Sequence, residues 1–333
     1  MRWGAIALAA GGLAAVGLVA WYGAAAIGAE VWQAAWTLPA ILAIHGATQY
    51  LSAIAWREAT GTGGPGLGGP GFGGPGLRCW FAIRVIRESV NGLLPVAQLG
   101  GNLVGIRLLM RRGVPGTAAT AGTTIDVTLE AVSQLLFTLL GIAVLAAISR
   151  DGGAVWQAPW VQASVAVLLA AIAVFVAVQQ AAGLRVIQWI AGPLTRIFPR
   201  FSLATVQRLF AALAERQRQR GMLARATLLH LMAWLIGVGE TWLALWAMGV
   251  PAGWAEALVI ESLAVAVRNA AFAVPGGLGV QEAGFVLIGG LFGVPPDQAI
   301  AVSMLKRLRE LAFGLPGLLA WQWLETRRHA DRP

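Results

Sequence analysis

Charged side chains and a broken backbone inside apolar sequence are the features that could do chemistry in this chain. In "FAVPGGLGVQEAG", residues 272–284, a proline, a glycine run and Glu282 interrupt an apolar region. The amides exposed around Pro275, Gly276, Gly277 and Gly279 would open a half-helix, and a helix N-terminus suits an anion. A lipid phosphate is the natural guest. Glu282 has two readings: a proton site or ligand for a cationic headgroup, or an acid that stabilises the free amides of its own half-helix.

Other charges lie at comparable depth. Lys306, Arg307, Arg309 and Glu310 fall inside the apolar stretch 299–324, where charge is costly and usually functional. Snorkelling to an interface is the plainer reading. Asp126 and Glu130 lie in 118–148 and Glu240 near the centre of 227–249. Glu261 and Arg268 share one helical face. Arg84, Arg87, Glu88 and Asn91 lead into a second break, "LLPVAQLGG", which contains Pro95, and Asn102 follows it. An arginine–carboxylate network joining these groups would satisfy both signs. The expected headgroup site therefore comprises Arg87, Asn91, Pro95, Asn102, Glu130, Glu240, Arg268, Pro275, Gly276, Gly277, Gly279, Glu282, Arg307, Arg309 and Glu310. The three histidines, His45, His230 and His329, show no metal-ligand spacing, and Cys79 stands alone. No nucleophile set appears, so no catalysis, cofactor or metal is expected. The fifteen tryptophans read as interfacial belts.

The elements that must hold these residues are membrane helices. Of 333 residues 58% are hydrophobic and only 12% charged, about half the charge of a soluble domain. Mean hydropathy is +0.71. Spans of roughly 20 residues are expected near 3–27, 36–56, 118–148, 159–180, 227–249 and 299–324. The first is too long for a signal-peptide core and reads as a retained anchor. Two regions, 78–112 and 257–294, are apolar but broken in the middle. Residues 61–77, "GTGGPGLGGPGFGGPGL", form a flexible Gly/Pro-rich loop. The net charge of +9 is almost all arginine, and in a membrane chain anionic lipid is a better partner for it than nucleic acid.

Arginines collect in the basic segment 181–225, where 203–220 reads as an amphipathic helix on the cytoplasmic surface. The positive-inside rule then places both termini in the cytoplasm and loops 28–35, 250–256 and 295–298 outside. That assignment requires both broken regions to be re-entrant hairpins. Shifting the chain by 180 residues aligns them: Pro95 with Pro275, "GVP" at 113–115 with "GVP" at 293–295, Glu130 with Glu310. The expected fold is an all-α integral membrane protein, 1–333 as one polytopic domain. About six transmembrane helices accompany two opposed hairpins in an inverted-topology repeat, 78–148 and 257–324. Secondary transporters with such repeats place their sites where the broken helices meet.

"RESVNGLLPVAQLGGNLVGIRLLMRRGVP", "TTIDVTLEAVSQLLFTLLGI" and "PGGLGVQEAG…GVP…KRLRE" resemble the lysylphosphatidylglycerol synthase transmembrane region, from about Ala35 to Leu324. "AIAWRE" and "LLPVAQLGG" resemble the hopanoid-biosynthesis-associated HpnL subgroup. The P-G-G-x-G-x-x-E motif is intact through Glu282. A second motif, G-G-E, departs, with Asn102 in place of the acid. The resemblance implies flippase-like translocation of a lipid with an anionic or polyprenoid headgroup. It does not imply lysyl transfer, the activity of a separate soluble domain not expected in a chain ending at Pro333. The alternative expectation is a membrane enzyme or accessory subunit of hopanoid synthesis. A homo-oligomer or a lipid-biosynthesis partner would suit either.

Overall fold

The computed structural model describes residues 13, 16–61, 75–94, 100–148, 203–270 and 277–330. Pro95, Pro275, Gly276, the expected span 159–180, residues 3–12, 14 and 15 of the expected span 3–27, most of the loop 61–77 and residues 181–202 lie outside them. The described chain is helical: α1 (Ala24–Ala34), a 3-10 turn at Ala35–Thr37, α2 (Leu38–Thr60), α3 (Leu77–Leu93), α4 (Gly100–Arg111), α5 (Gly116–Ile148), α6 (Leu203–Arg218), α7 (Arg220–Ala247), α8 (Trp254–Ala270), α9 (Val280–Gly290) and α10 (Pro296–Ala330).

Three helical stretches among these residues are long and apolar enough to cross a bilayer: Ala24–Thr60, Gly116–Ile148 and Arg220–Ala247. They carry the expected spans at 36–56, 118–148 and 227–249. At 35 residues α10 is as long, but Lys306, Arg307, Arg309 and Glu310 along it and Glu325, Arg327 and Arg328 near its end keep it out of that set. Residues 28–35, expected as an external loop, are helical instead. The stretch has no glycine or proline after Gly28, and the helix break falls earlier, at Gly23.

The two broken regions fold alike. Each has a 17-residue helix, α3 or α8, then a break, then a short helix, α4 of 12 residues or α9 of 11. Each ends in a "GVP" turn that leads into a long helix, α5 or α10. The turns share four hydrogen bonds at the same 180-residue offset. Val114 N–H donates to Leu109 O at 3.1 Å and Val294 N–H to Gly289 O at 3.1 Å. The bonds Arg112→Leu109, Gly113→Met110 and Ala119→Pro115 recur as Phe292→Gly289, Gly293→Gly290 and Ala299→Pro295. Both turns need a left-handed residue, and glycine supplies it at Gly113 (φ 86°) and Gly293 (φ 72°). A helix of 11 or 12 residues is only about 17 Å long, little more than half the hydrocarbon thickness.

One apolar cluster packs α1, α2, α5, α7, α8, α9 and α10 together, and a second joins α2, α3, α4 and α5. Helices in lipid gain little from hydrophobic burial, so close backbone approach matters more. Gly122 of α5 lies against Thr60 and Gly141 against Ser262, with no room for a side chain at either. Trp56 and Trp80 are fully buried and meet edge to face at 5.1 Å, so these two are core residues, not belt residues. A helix, α6, lies within 203–220, where an amphipathic helix was expected on the cytoplasmic surface, and its Leu209, Phe210 and Leu213 pack on Ala121, Ile125, Met222 and Ala226.

Candidate functional site

Arg84 and Arg87, three residues apart, leave α3 on one face and are buried. Both meet the carboxylates of α5. Arg84 binds Glu130 through two bonds, 2.7 and 3.3 Å, a fork geometry that arginine's planar group favours. Arg87 donates to Asp126 Oδ2 at 2.6 Å and to Asn102 Oδ1 at 2.6 Å, while its guanidinium lies 4.8 Å over the Trp56 ring. His230 of α7 completes the coordination of Asp126, Nε2 to Oδ1 at 3.0 Å. Glu88 is half exposed, with Arg84 4.0 Å away.

A second network is built on α10. Lys306 reaches Glu261 at 2.9 Å and Glu240 at 3.3 Å. Arg309 also binds Glu240, and its other terminal nitrogen is 3.7 Å from Glu310. Arg268 pairs with Glu310 at 2.9 Å. Arg307 lies between Glu282 and Glu310, 3.3 Å from each. Thr241 donates to Glu261 at 2.5 Å. A buried charge without a partner is far costlier than a paired one, and here each network supplies its own partners.

Between the networks lies a cavity of 430 Å³. Its wall takes Arg84, Arg87 and Glu130 from the first unit and Arg268, Lys306, Arg309 and Glu310 from the second. α2 contributes a polar stripe of His45, Thr48, Gln49 and Ser52. That stripe ties the networks together. His45 Nδ1 is 3.4 Å from Glu240 Oε1, His45 Nε2 is 3.4 Å from the Gln49 amide nitrogen, and Gln49 Oε1 accepts from Arg84 Nε at 3.1 Å.

Of the expected site residues, Arg87, Asn91, Asn102, Glu130, Glu240, Arg268, Arg309 and Glu310 line this cavity. Gly277, Gly279, Glu282 and Arg307 are not part of its lining, and Pro95, Pro275 and Gly276 lie outside the described residues. Glu282 is fully buried: one carboxylate oxygen accepts from the Gly279 amide at 2.7 Å, the other from Ser303 at 3.0 Å and Arg307 at 3.3 Å. The protein's own acid thus takes the Gly279 amide expected to cradle a phosphate. Asn91 does the same for the other short helix, accepting from the Gly101 amide at 2.8 Å. Around the cavity Arg84 and Arg87 pair with Asp126 and Glu130, and Lys306 and Arg309 with Glu240, Glu261 and Glu310, whereas a network between the copies was expected there. The pairs that join the copies, Arg107 and Arg111 of α4 with Glu325 of α10 at 3.1 and 2.7 Å, lie away from it. Lys306 and Arg309 are buried and paired, so they do not snorkel.

His45, Gln49, His230 and Gln281 also line the cavity without having been expected there. The α2 stripe had a visible signal. Positions 45, 48, 49 and 52 are one face of a helix, and four polar residues share it in an otherwise apolar span.

Helices that span the bilayer, two broken-helix units and a charged cavity between them define a polytopic membrane protein with a polar site inside it. The description "Lysylphosphatidylglycerol synthase TM region" matches residues 3–317, and the chain belongs to that family. It is similar to a UPF0104 membrane protein of Methanothermobacter thermautotrophicus, 24% identical over 245 residues, covering 68% of this chain and 70% of the relative. No solved structure matches the chain.

Proposed function

We propose that the protein is a flippase-like lipid translocator of the cytoplasmic membrane and that the cavity between the two networks takes the lipid headgroup. One observation carries this reading: a 430 Å³ space walled by arginine, lysine and glutamate from both broken-helix units, in a chain of this membrane family. That volume falls in the range of sites for small ligands, about 300–1,000 Å³. Charge at such depth is tolerated where it lines a polar path, and non-helical backbone where it is walled by protein. The lipid is a hopanoid or another polyprenoid or anionic lipid. The repeat is inverted, its two hairpins enter from opposite sides, and both termini are cytoplasmic. The role is passage and not catalysis, because Glu130, Glu240, Glu261 and Glu310 are each held by a cation, an arrangement suited to binding. A homo-oligomer or a lipid-synthesising partner would work beside it.

The test is a leaflet-resolved comparison of lipids in cells with and without the gene. Accumulation of one lipid class in the inner leaflet of the deletion strain is expected. An unchanged distribution between leaflets would contradict the reading.

A further inference from the structure

Gln49 settles the tautomer of His45. Its Oε1 accepts from Arg84, so its –NH2 faces His45 Nε2. An –NH2 only donates, so Nε2 holds the lone pair and the ring proton sits on Nδ1, aimed at Glu240. Glu240, His45, Gln49 and Arg84 thereby form a line of donors and acceptors from one network to the other, with one resting arrangement.

We propose that His45 is the proton-binding site of the cavity and that the Gln49 amide passes its protonation on to Arg84. A proton delivered from solution through the cavity onto Nε2 makes both ring nitrogens donors. The amide –NH2 then faces an N–H. Arg84 keeps Glu130 and Asp126 whatever the amide does, at 2.7 and 3.6 Å, whereas among the described residues the group hydrogen-bonded to His45 Nε2 is the Gln49 amide itself. The amide therefore turns its oxygen to His45. Its –NH2 now opposes the Arg84 Nε–H, donor against donor, and the bridge opens at Arg84. The released Nε–H belongs to a side chain that lines the cavity, so a proton in the second network frees a donor in the first.

Charge balance points the same way. Glu240 on α7 and Arg309 on α10 flank His45, with Lys306 behind them; Arg84 and Glu88 face it from α3, and Glu130 of α5 stands beyond Arg84. Across both networks six cations meet seven carboxylates. The surplus is Glu88, half exposed on the cavity wall. One proton on His45 brings these groups to neutrality. His230 also abuts a carboxylate, Asp126, but its described contact is with the first network alone, outside the bridge.

The experiment uses the full chain in nanodiscs, labelled with ¹⁵N at histidine and arginine, between roughly pH 8 and pH 5.5, a window that brackets the ordinary histidine value. His45→Asn and Arg84→Lys assign the signals. At the upper limit His45 should show a proton on Nδ1 and a bare Nε2, and at the lower limit protons on both. The Arg84 Nε signal should shift with the same midpoint, and that shift should vanish in His45→Asn and in Gln49→Leu. A proton on Nε2 at the upper limit, a His45 unchanged across the window, or an Arg84 shift that survives in His45→Asn would each overturn the proposal. If Gln49→Leu fails to insert, His45→Asn supplies the same comparison. None of these signals depends on lipid movement, so their failure is distinct from failure of the translocation reading.

Discussion

Removing Glu240 and Arg309 singly and together separates a buried pair from its surroundings. Glu240 is 2% exposed and takes Arg309, Lys306 at 3.3 Å and His45 at 3.4 Å. Breaking a buried pair by removing one partner costs about 3–5 kcal/mol. Neighbours soften that here. In Glu240→Gln, Lys306 keeps Glu261 at 2.9 Å and Arg309 keeps Glu310 at 3.7 Å. In Arg309→Gln, Glu240 keeps Lys306. Each single variant should therefore fall at the lower end, about 3 kcal/mol. In the double variant the remaining groups stay paired, Lys306 with Glu261 and Glu310 with Arg268 at 2.9 Å. Its loss should be about 1 kcal/mol, that of a modest hydrogen bond. At about 2–4 °C per kcal/mol, melting in detergent should drop by roughly 6–12 °C in each single variant and 2–4 °C in the double. Contacting residues couple, and a double-mutant cycle measures it. A double variant that falls by the sum of the two singles would refute the pairing.

Three further outcomes follow from the geometry. With Cys79 replaced by serine, cysteines at Arg112 and Pro251, both exposed, should be labelled from opposite sides of the membrane; labelling from one side would remove the inverted repeat. Gly277→Leu should destabilise by about 1–3 kcal/mol, the usual cost of a strained backbone. Gly277 has φ 59° and its missing Cβ would stand 2.7 Å from Arg268 Cγ, so the same change should displace Arg268 from Glu310; a wild-type melting temperature would contradict this. Arg87→Lys should lose most of the arginine's value, because one ammonium cannot serve Asp126, Asn102 and the Trp56 face together. Detergent melting at or above the parent would count against that.

What the sequence made legible was the along-chain pattern. Repeated "GVP" turns at a constant offset marked the ends of the short helices, and the charged positions of α3, α5 and α10 were visible as costly residues in apolar runs. Partner choice was not legible. Spacing tells which residues share a face of one helix, but which neighbouring helix that face meets is set by tertiary packing. Glu282 thus read equally as a ligand or a cap, two roles that can hold together, and the 2.7 Å bond to the Gly279 amide shows the cap. Metal-ligand spacing is blind to the α2 stripe, whose signal is four polar positions, His45 among them, on one face of a single helix. The helix at residues 28–35 was missed for a different reason: Glu30 suggested an external loop, yet it lies in helix and accepts from Gln298 at 3.3 Å.

The central claim is that a lipid headgroup passes through the cavity, and plugging that cavity without touching an ion pair tests it most directly. Gly237 lines the cavity from α7 and has nothing within 4 Å of where a side chain would begin. Gly237→Trp should fill the space and leave both networks intact. Reconstituted in liposomes with headgroup-labelled lipid, the parent should expose inner-leaflet label at a protein-dependent rate. The variant, melting within a few degrees of the parent, should be at least about tenfold slower, a barrier rise of about 1.4 kcal/mol. Equal rates for parent and plugged variant would contradict passage through this cavity.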